Sequence, residues 1–154
     1  MRTLKLNKVL LPAILVILSF SVLLNVFFYT QMRKYYSSVY AVELDPLGLS
    51  YFQDESPQQP NGKTVVVFFG DSRAAQWTDP TLAGFFYINR GIGNQTSSQV
   101  AGRFDEHVRP LQPKVVIVQV GINDLKTIPL FPERNLEITE NCKANIQKIV
   151  QDSL

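Results

Sequence analysis

The chain has 154 residues, 45% hydrophobic and 18% charged, which suits one folded domain at most once any segment that cannot join a core is set aside. Lys plus Arg number 15 against 13 Asp plus Glu, so the net charge is +2, and no basic cluster of the kind that nucleic-acid binding leaves is seen. One cysteine, Cys142, excludes an intrachain disulfide, and one histidine, His107, excludes a His-rich or four-ligand zinc site. Chemistry must rest on Ser, Asp, Asn and backbone groups, with no metal and no cofactor expected.

The first element is an apolar run from Val9 to Tyr29 with no charged residue. As a helix it would be roughly 31 Å long, the thickness of a bilayer core. Arg2, Lys5 and Lys8 precede it, and Arg33 and Lys34 follow, a mild bias toward a cytoplasmic N-terminus. Residues 1–8 are expected to be a cytoplasmic basic region and 9–29 an uncleaved signal-anchor, with the rest periplasmic or extracellular. A cleaved signal peptide is the competing reading. Thr30-Gln31-Met32 lacks the small-x-small pattern of a cleavage site, and Val39-Tyr40-Ala41 lies too far on.

Residues 30–62 read as a stalk, polar and aromatic at first and rich in Pro, Gln and Asn at its end. Its apolar middle, VELDPLGLSYF, is suited to lie against the folded domain as an irregular strap. Residues 63–154 then form the domain. Thr64–Phe69, Phe85–Ile88 and Lys114–Val120 have the β-branched and aromatic character of buried strands. Thr96 and Gln99 have capping-box spacing ahead of Val100, Phe104 and Val108. Ile138, Cys142, Ile146 and Ile149 share one stripe of a last helix, where Cys142 is a small apolar residue. Strands alternating with helices predict an α/β fold, flavodoxin-like and three-layered, with a parallel sheet and three strand–helix units.

In such sheets, functional groups collect beyond the carboxyl ends of the strands. Each strand here is followed there by a polar turn containing glycine: Gly70-Asp71-Ser72-Arg73, Asn89 to Thr96, and Gly121-Ile122-Asn123-Asp124. A serine hydroxyl, free backbone N–H groups and an asparagine amide on one edge are what acyl transfer requires. Taken singly, Ser72 would be a helix cap and Asn123 a turn residue. The Gly91-Ile92-Gly93 run lacks the third glycine and the acidic residue of a dinucleotide loop.

Together the turns carry a resemblance. FFGDSRAAQW, NRGIGNQTSSQV and VQVGINDLK resemble, in order and spacing, the first three blocks of the SGNH (GDSL-type) hydrolases. The resemblance implies Ser72 as nucleophile and as an oxyanion-hole N–H donor, with the Asn123 side chain as a second donor. Where the family has its oxyanion glycine this chain has Asn94, the non-glycine type that best tolerates positive φ. Gly93 is the fallback. Gly70, Gly91, Gly121, Asp71 and Asp124 are implied as structural support, the carboxylates bonding to backbone groups.

The family's fourth block, Asp-x-x-His, does not occur in these residues, and the chain reads as truncated or as completed by a further polypeptide segment. His107 lies just before the third strand, at the opposite edge from Ser72, and is expected to be a surface or helix-end residue rather than the general base. Two functions follow. One is a membrane-anchored serine esterase or acyl hydrolase acting on a small-molecule, lipid or polysaccharide ester, with little or no activity in the absence of its base. The other is a non-catalytic anchored binding or assembly module derived from the same fold.

Overall fold

The computed structural model describes residues 2–55, 57–58, 60 and 62–154, with side chains from Leu10 onward. Helix α1 spans Arg2–Leu44 and contains the whole apolar run, with Pro12 inside it. It is the one helix among the described residues long and apolar enough to cross a membrane. The helix passes through Thr30–Leu44, where composition had suggested irregular stalk. That stretch contains neither Gly nor Pro, and extending an existing helix adds one hydrogen bond for each residue fixed. It stops at Asp45-Pro46, because a residue before proline is disfavoured in the α region. The Asp45 carboxylate turns the chain by accepting Leu49 N–H at 2.9 Å, Ser50 N–H at 2.9 Å and the Ser50 hydroxyl at 2.7 Å.

A second unit runs from Asp45 to Leu154 and so begins earlier than the Lys63 boundary drawn from composition. The reason is the strap. Gln99 Nε2 donates to Pro46 O and Gln95 Nε2 to Leu47 O, both at 2.8 Å. Phe52 lies under the Arg90 guanidinium, 4.4 Å from Cζ to the ring centre.

Three parallel strands make the sheet: β1 (Thr64–Gly70) in the centre, β2 (Phe85–Gly91) on one side and β3 (Val115–Gln119) on the other. The second strand continues past Ile88 through Asn89, Arg90 and Gly91. Asn and Gly are poor strand formers, but the ladder with β1 pairs all three residues through to Gly70. Val65, Val67 and Phe69 point to one face, against Ile88, Val100, Ala101, Phe104, Val108 and Ile149. That face is covered by α3 (Ser97–Gly102), α4 (Phe104–His107) and α6 (Asn135–Asp152). On α6 the predicted stripe faces inward, with Cys142 and Ile149 buried and Ile138 and Ile146 half-buried.

The helical spacing of Val100, Phe104 and Val108 is carried by two short helices, divided at Gly102-Arg103. Glycine is a weak helix former, and a Cβ there would meet Leu47 Cδ2 of the strap at 2.9 Å. Val66 and Phe68 point to the other face, where the layer is thin: the one-turn α2 (Ser72–Ala75), Trp77 with its ring 4.8 Å from Phe68, and Tyr87 stacked on Phe68 at 5.7 Å. The architecture is thus a three-layer α/β unit with a parallel sheet, preceded by an apolar helix.

The end of β2 runs against α2. A Cβ on Gly91 would sit 2.1 Å from Ala75 N, a main-chain atom that cannot swing away. Gly91→Ala is expected to lower stability by about 1–3 kcal/mol or more, the cost of an overpacked site, read as a drop in the urea midpoint.

Candidate functional site

The three strands end level. Gly70 pairs with Gly91 on one side and with Gln119 on the other, so all three turns leave from one edge of the sheet. At Gly70 the backbone has φ +153°, and a Cβ would lie 1.9 Å from Gln119 O, so no other residue fits. The next residue, Asp71, is completely buried, and its N–H donates to Gln119 O at 3.0 Å. Its Oδ1 accepts the Arg73 N–H at 2.9 Å, capping α2, while Oδ2 has no partner among the described residues. Ser72 opens that helix, half-buried, and its hydroxyl makes no hydrogen bond among the described residues.

The second turn faces the first. A Cβ on Gly93 would stand 4.0 Å from Ser72 Cβ. Asn94 has φ 64°, the left-handed conformation that its residue type tolerates. The N–H groups of Ser72, Gly93 and Asn94 have no partners among the described residues. The third turn starts at Gly121, φ 112°, which opens α5 (Ile122–Leu125). Asn123 is buried and donates one Nδ2 hydrogen to Gln95 O at 2.8 Å, which ties the third turn to the second and leaves its other N–H unused. Asp124 accepts both the N–H and the hydroxyl of Ser97, at 2.8 and 2.7 Å, and Asn145 Nδ2 donates to that hydroxyl at 3.1 Å. Both carboxylates therefore bond to backbone groups. Close by, burial first and Asp124 second push the Cys142 thiol above its ordinary range, so it stays a neutral apolar filler.

In order, spacing and placement after strands, these three turns resemble the blocks of the SGNH-type hydrolases. No protein-family model and no curated protein matches the chain. Among solved structures it is similar to a protein of Bacteroides fragilis NCTC 9343 assigned as an acylhydrolase, 32% identical, with a TM-score of 0.45. That match covers 66% of this chain and 54% of the other. It is also similar to a GDSL-like lipase of Bacteroides thetaiotaomicron VPI-5482, 29% identical, with a TM-score of 0.44, covering 64% of this chain and 54% of that one. The chain spans about half the length of both.

His107 is corrected in part. It does end a helix, α4, but it is 5% exposed rather than on the surface. Arg103 Nη1 lies 3.3 Å from its Nδ1, and its Nε2 lies 3.3 Å from Leu49 O. A guanidinium only donates, so Nδ1 accepts and Nε2 carries the proton for the strap carbonyl: a neutral ring with both nitrogens occupied. Burial holds its pKa below the ordinary 6.5, and the Arg103 and Arg90 charges add to that against the opposing Leu49 carbonyl and Glu106. Sequence reading also missed Arg103 and Gln95. The available signal was position: Arg103 and His107 fall on the stripe of Val100, Phe104 and Val108, where buried side chains belong.

With its pKa depressed in the folded state, His107 stays neutral while the unfolded chain takes up a proton. The His107 contribution to stability is therefore constant above about 6.5 and falls as pH drops below it. Denaturation midpoints measured from pH 7.5 to 5.5 should decline, and His107→Gln should flatten that slope.

Proposed function

We propose that the chain is a membrane-anchored serine esterase or acyl hydrolase of SGNH type. What carries the reading is the juxtaposition at one sheet edge of an unengaged Ser72 hydroxyl with the unpartnered N–H groups of Ser72, Gly93 and Asn94. In this reading Ser72 Oγ attacks the ester carbonyl carbon. The carbonyl oxygen takes the negative charge and accepts hydrogen bonds from the N–H groups of Ser72 and Asn94 and from the spare N–H of Asn123 Nδ2. The alcohol then departs with a proton, leaving an acyl-serine that water hydrolyses. The α1 helix serves as the anchor, N-terminus inside, with the domain periplasmic or extracellular and the substrate a lipid, polysaccharide or small-molecule ester.

The serine proton needs an acceptor. These 154 residues hold no Asp-x-x-His, and both nitrogens of His107 are occupied. The base is therefore assigned to a further segment or a partner polypeptide. A second reading, a non-catalytic module that binds an acylated ligand, is favoured by Asn94 at the position where the family has glycine, since the added side chain narrows the site.

Fluorophosphonate labelling in native membranes, where a completing segment would be present, is expected to modify Ser72 and to be abolished by Ser72→Ala. Labelling that never reaches Ser72, with ligand retention unaffected by Ser72→Ala, would establish the second reading instead. The isolated 154-residue chain should keep at most the factor of about 10³–10⁴ over water that an oxyanion hole and binding supply without a complete triad. Asn123→Ala should lower the kcat of the completed enzyme about 10²–10³-fold, measured with a p-nitrophenyl ester.

A further inference from the structure

Arg103 is completely buried, in the apolar layer between the sheet and the helices, yet among the described residues no carboxylate bonds to it. A charge placed there without a counter-ion is costly, and an apolar side chain of similar volume would serve packing at least as well. The hydrogen bonds explain the residue type. Nη2 donates to Gly70 O at 2.9 Å, at the end of β1 and two residues before Ser72. Nη1 donates to Arg90 O at 2.9 Å, at the end of β2. Nε donates to Gln95 Oε1 at 2.6 Å, one residue beyond Asn94. The main-chain oxygen of Gln95 in turn accepts Asn123 Nδ2 at 2.8 Å. The guanidinium plane also lies over the Phe69 ring, 4.5 Å from its centre, which fixes its tilt.

We infer that Arg103 is a positioning residue for the oxyanion donors, its rigid fork holding the turns after β1 and β2, and through Gln95 the Asn123 amide, in one fixed arrangement. The inference rests on the esterase reading for what is being positioned, and on the hydrogen bonds alone for how. A lysine has the charge but carries its donors on one nitrogen, and cannot reach the four acceptors, Gly70 O, Arg90 O, Gln95 Oε1 and His107 Nδ1, that the three guanidinium nitrogens serve. Desolvation, with Arg90 adding to it, brings the Arg103 pKa down to about 9, so the side chain stays charged at neutral pH. Its charge also puts a positive potential behind the edge where an oxyanion would form.

The test is nuclear magnetic resonance on the full chain in detergent micelles, following the Asn123 side-chain amide and the Ser72 and Asn94 backbone amides. In Arg103→Lys, exchange at the Asn123 amide should accelerate about tenfold or more, the loss of one ordered hydrogen bond, and the Ser72 and Asn94 resonances should shift. The Ser97 amide, held independently by Asp124, should not move. Gln95→Met removes the Nε acceptor and the donor to Leu47 O while keeping the Gly70 contact. It should accelerate exchange at Asn123 and leave the Ser72 amide in place.

Unchanged exchange at Asn123 in either folded variant would overturn the inference. So would loss of the fold in both, which would make Arg103 a folding determinant. In the completed enzyme, Arg103→Lys should lower kcat about tenfold or more with KM within about twofold, the pattern of a group that acts in the transition state. Absence of Ser72-dependent turnover in the unmodified protein would sink the esterase reading and leave the resonance data to judge Arg103.

Discussion

Strand β1 is paired on both sides, and its last residue, Gly70, is level with Gly91 on one neighbour and Gln119 on the other. Because parallel strands run the same way, this common endpoint puts every following turn on one edge. The absence of a Cβ at Gly70 lets β3 come close enough for the Asp71 N–H to reach Gln119 O. The remaining features depend on that closure. Ser72 opens α2 because Asp71 is fixed, Gly93 lies opposite Ser72 because β2 ends where β1 ends, and Asn123 reaches Gln95 because β3 stops at the same level.

Much of this was legible in the residues. The strands announced themselves as short β-branched runs, and the three turns by glycine beside Asp, Asn and Ser. Asn94, of the residue type that best tolerates positive φ, adopts it. What escaped was set by long-range contact rather than by local preference. β2 extends through Asn89, Arg90 and Gly91, against the propensity of Asn89 and Gly91, because β1 offers a ladder. α3 and α4 are divided where the strap crosses Gly102. α1 continues to Leu44 because nothing in Thr30–Leu44 stops it, although its composition looked like linker. The site residues showed the same division: Ser72, Asn94 and Asn123 stood in recognisable turns, whereas Arg103 and Gln95 sit in a stretch whose pattern reads only as core.

The domain gives much of its interior to polar groups. Asp71, Arg90, Gln95, Ser97, Arg103, His107 and Asn123 are all buried, beside a modest set of aliphatic and aromatic residues. Arg90, Gln95, Arg103, His107 and Asn123 bond to one another or to main-chain oxygens, Asp71 accepts a main-chain N–H, and Ser97 bonds to Asp124, which limits the desolvation cost and gives the packing direction as well as density. A core of this kind gains uniqueness at the expense of tolerance, since removing one partner leaves its neighbour buried and unmet.

The strap shows where that intolerance begins along the chain. The carbonyls of Pro46, Leu47 and Leu49 receive Gln99, Gln95 and His107, three side chains that back the second turn. What looks like tether is, as far as Phe52, an edge of the core contributed from outside the sheet. A soluble version of the domain has to be cut ahead of Asp45. Cutting at Lys63, where composition alone would place the border, strips three acceptors from half-buried and buried donors at about 1–3 kcal/mol each. It would loosen the very turn that faces Ser72. Evolutionary drift in length belongs in the Pro- and Gln-rich stretch after Phe52, and the segment before it has to keep its register with the sheet.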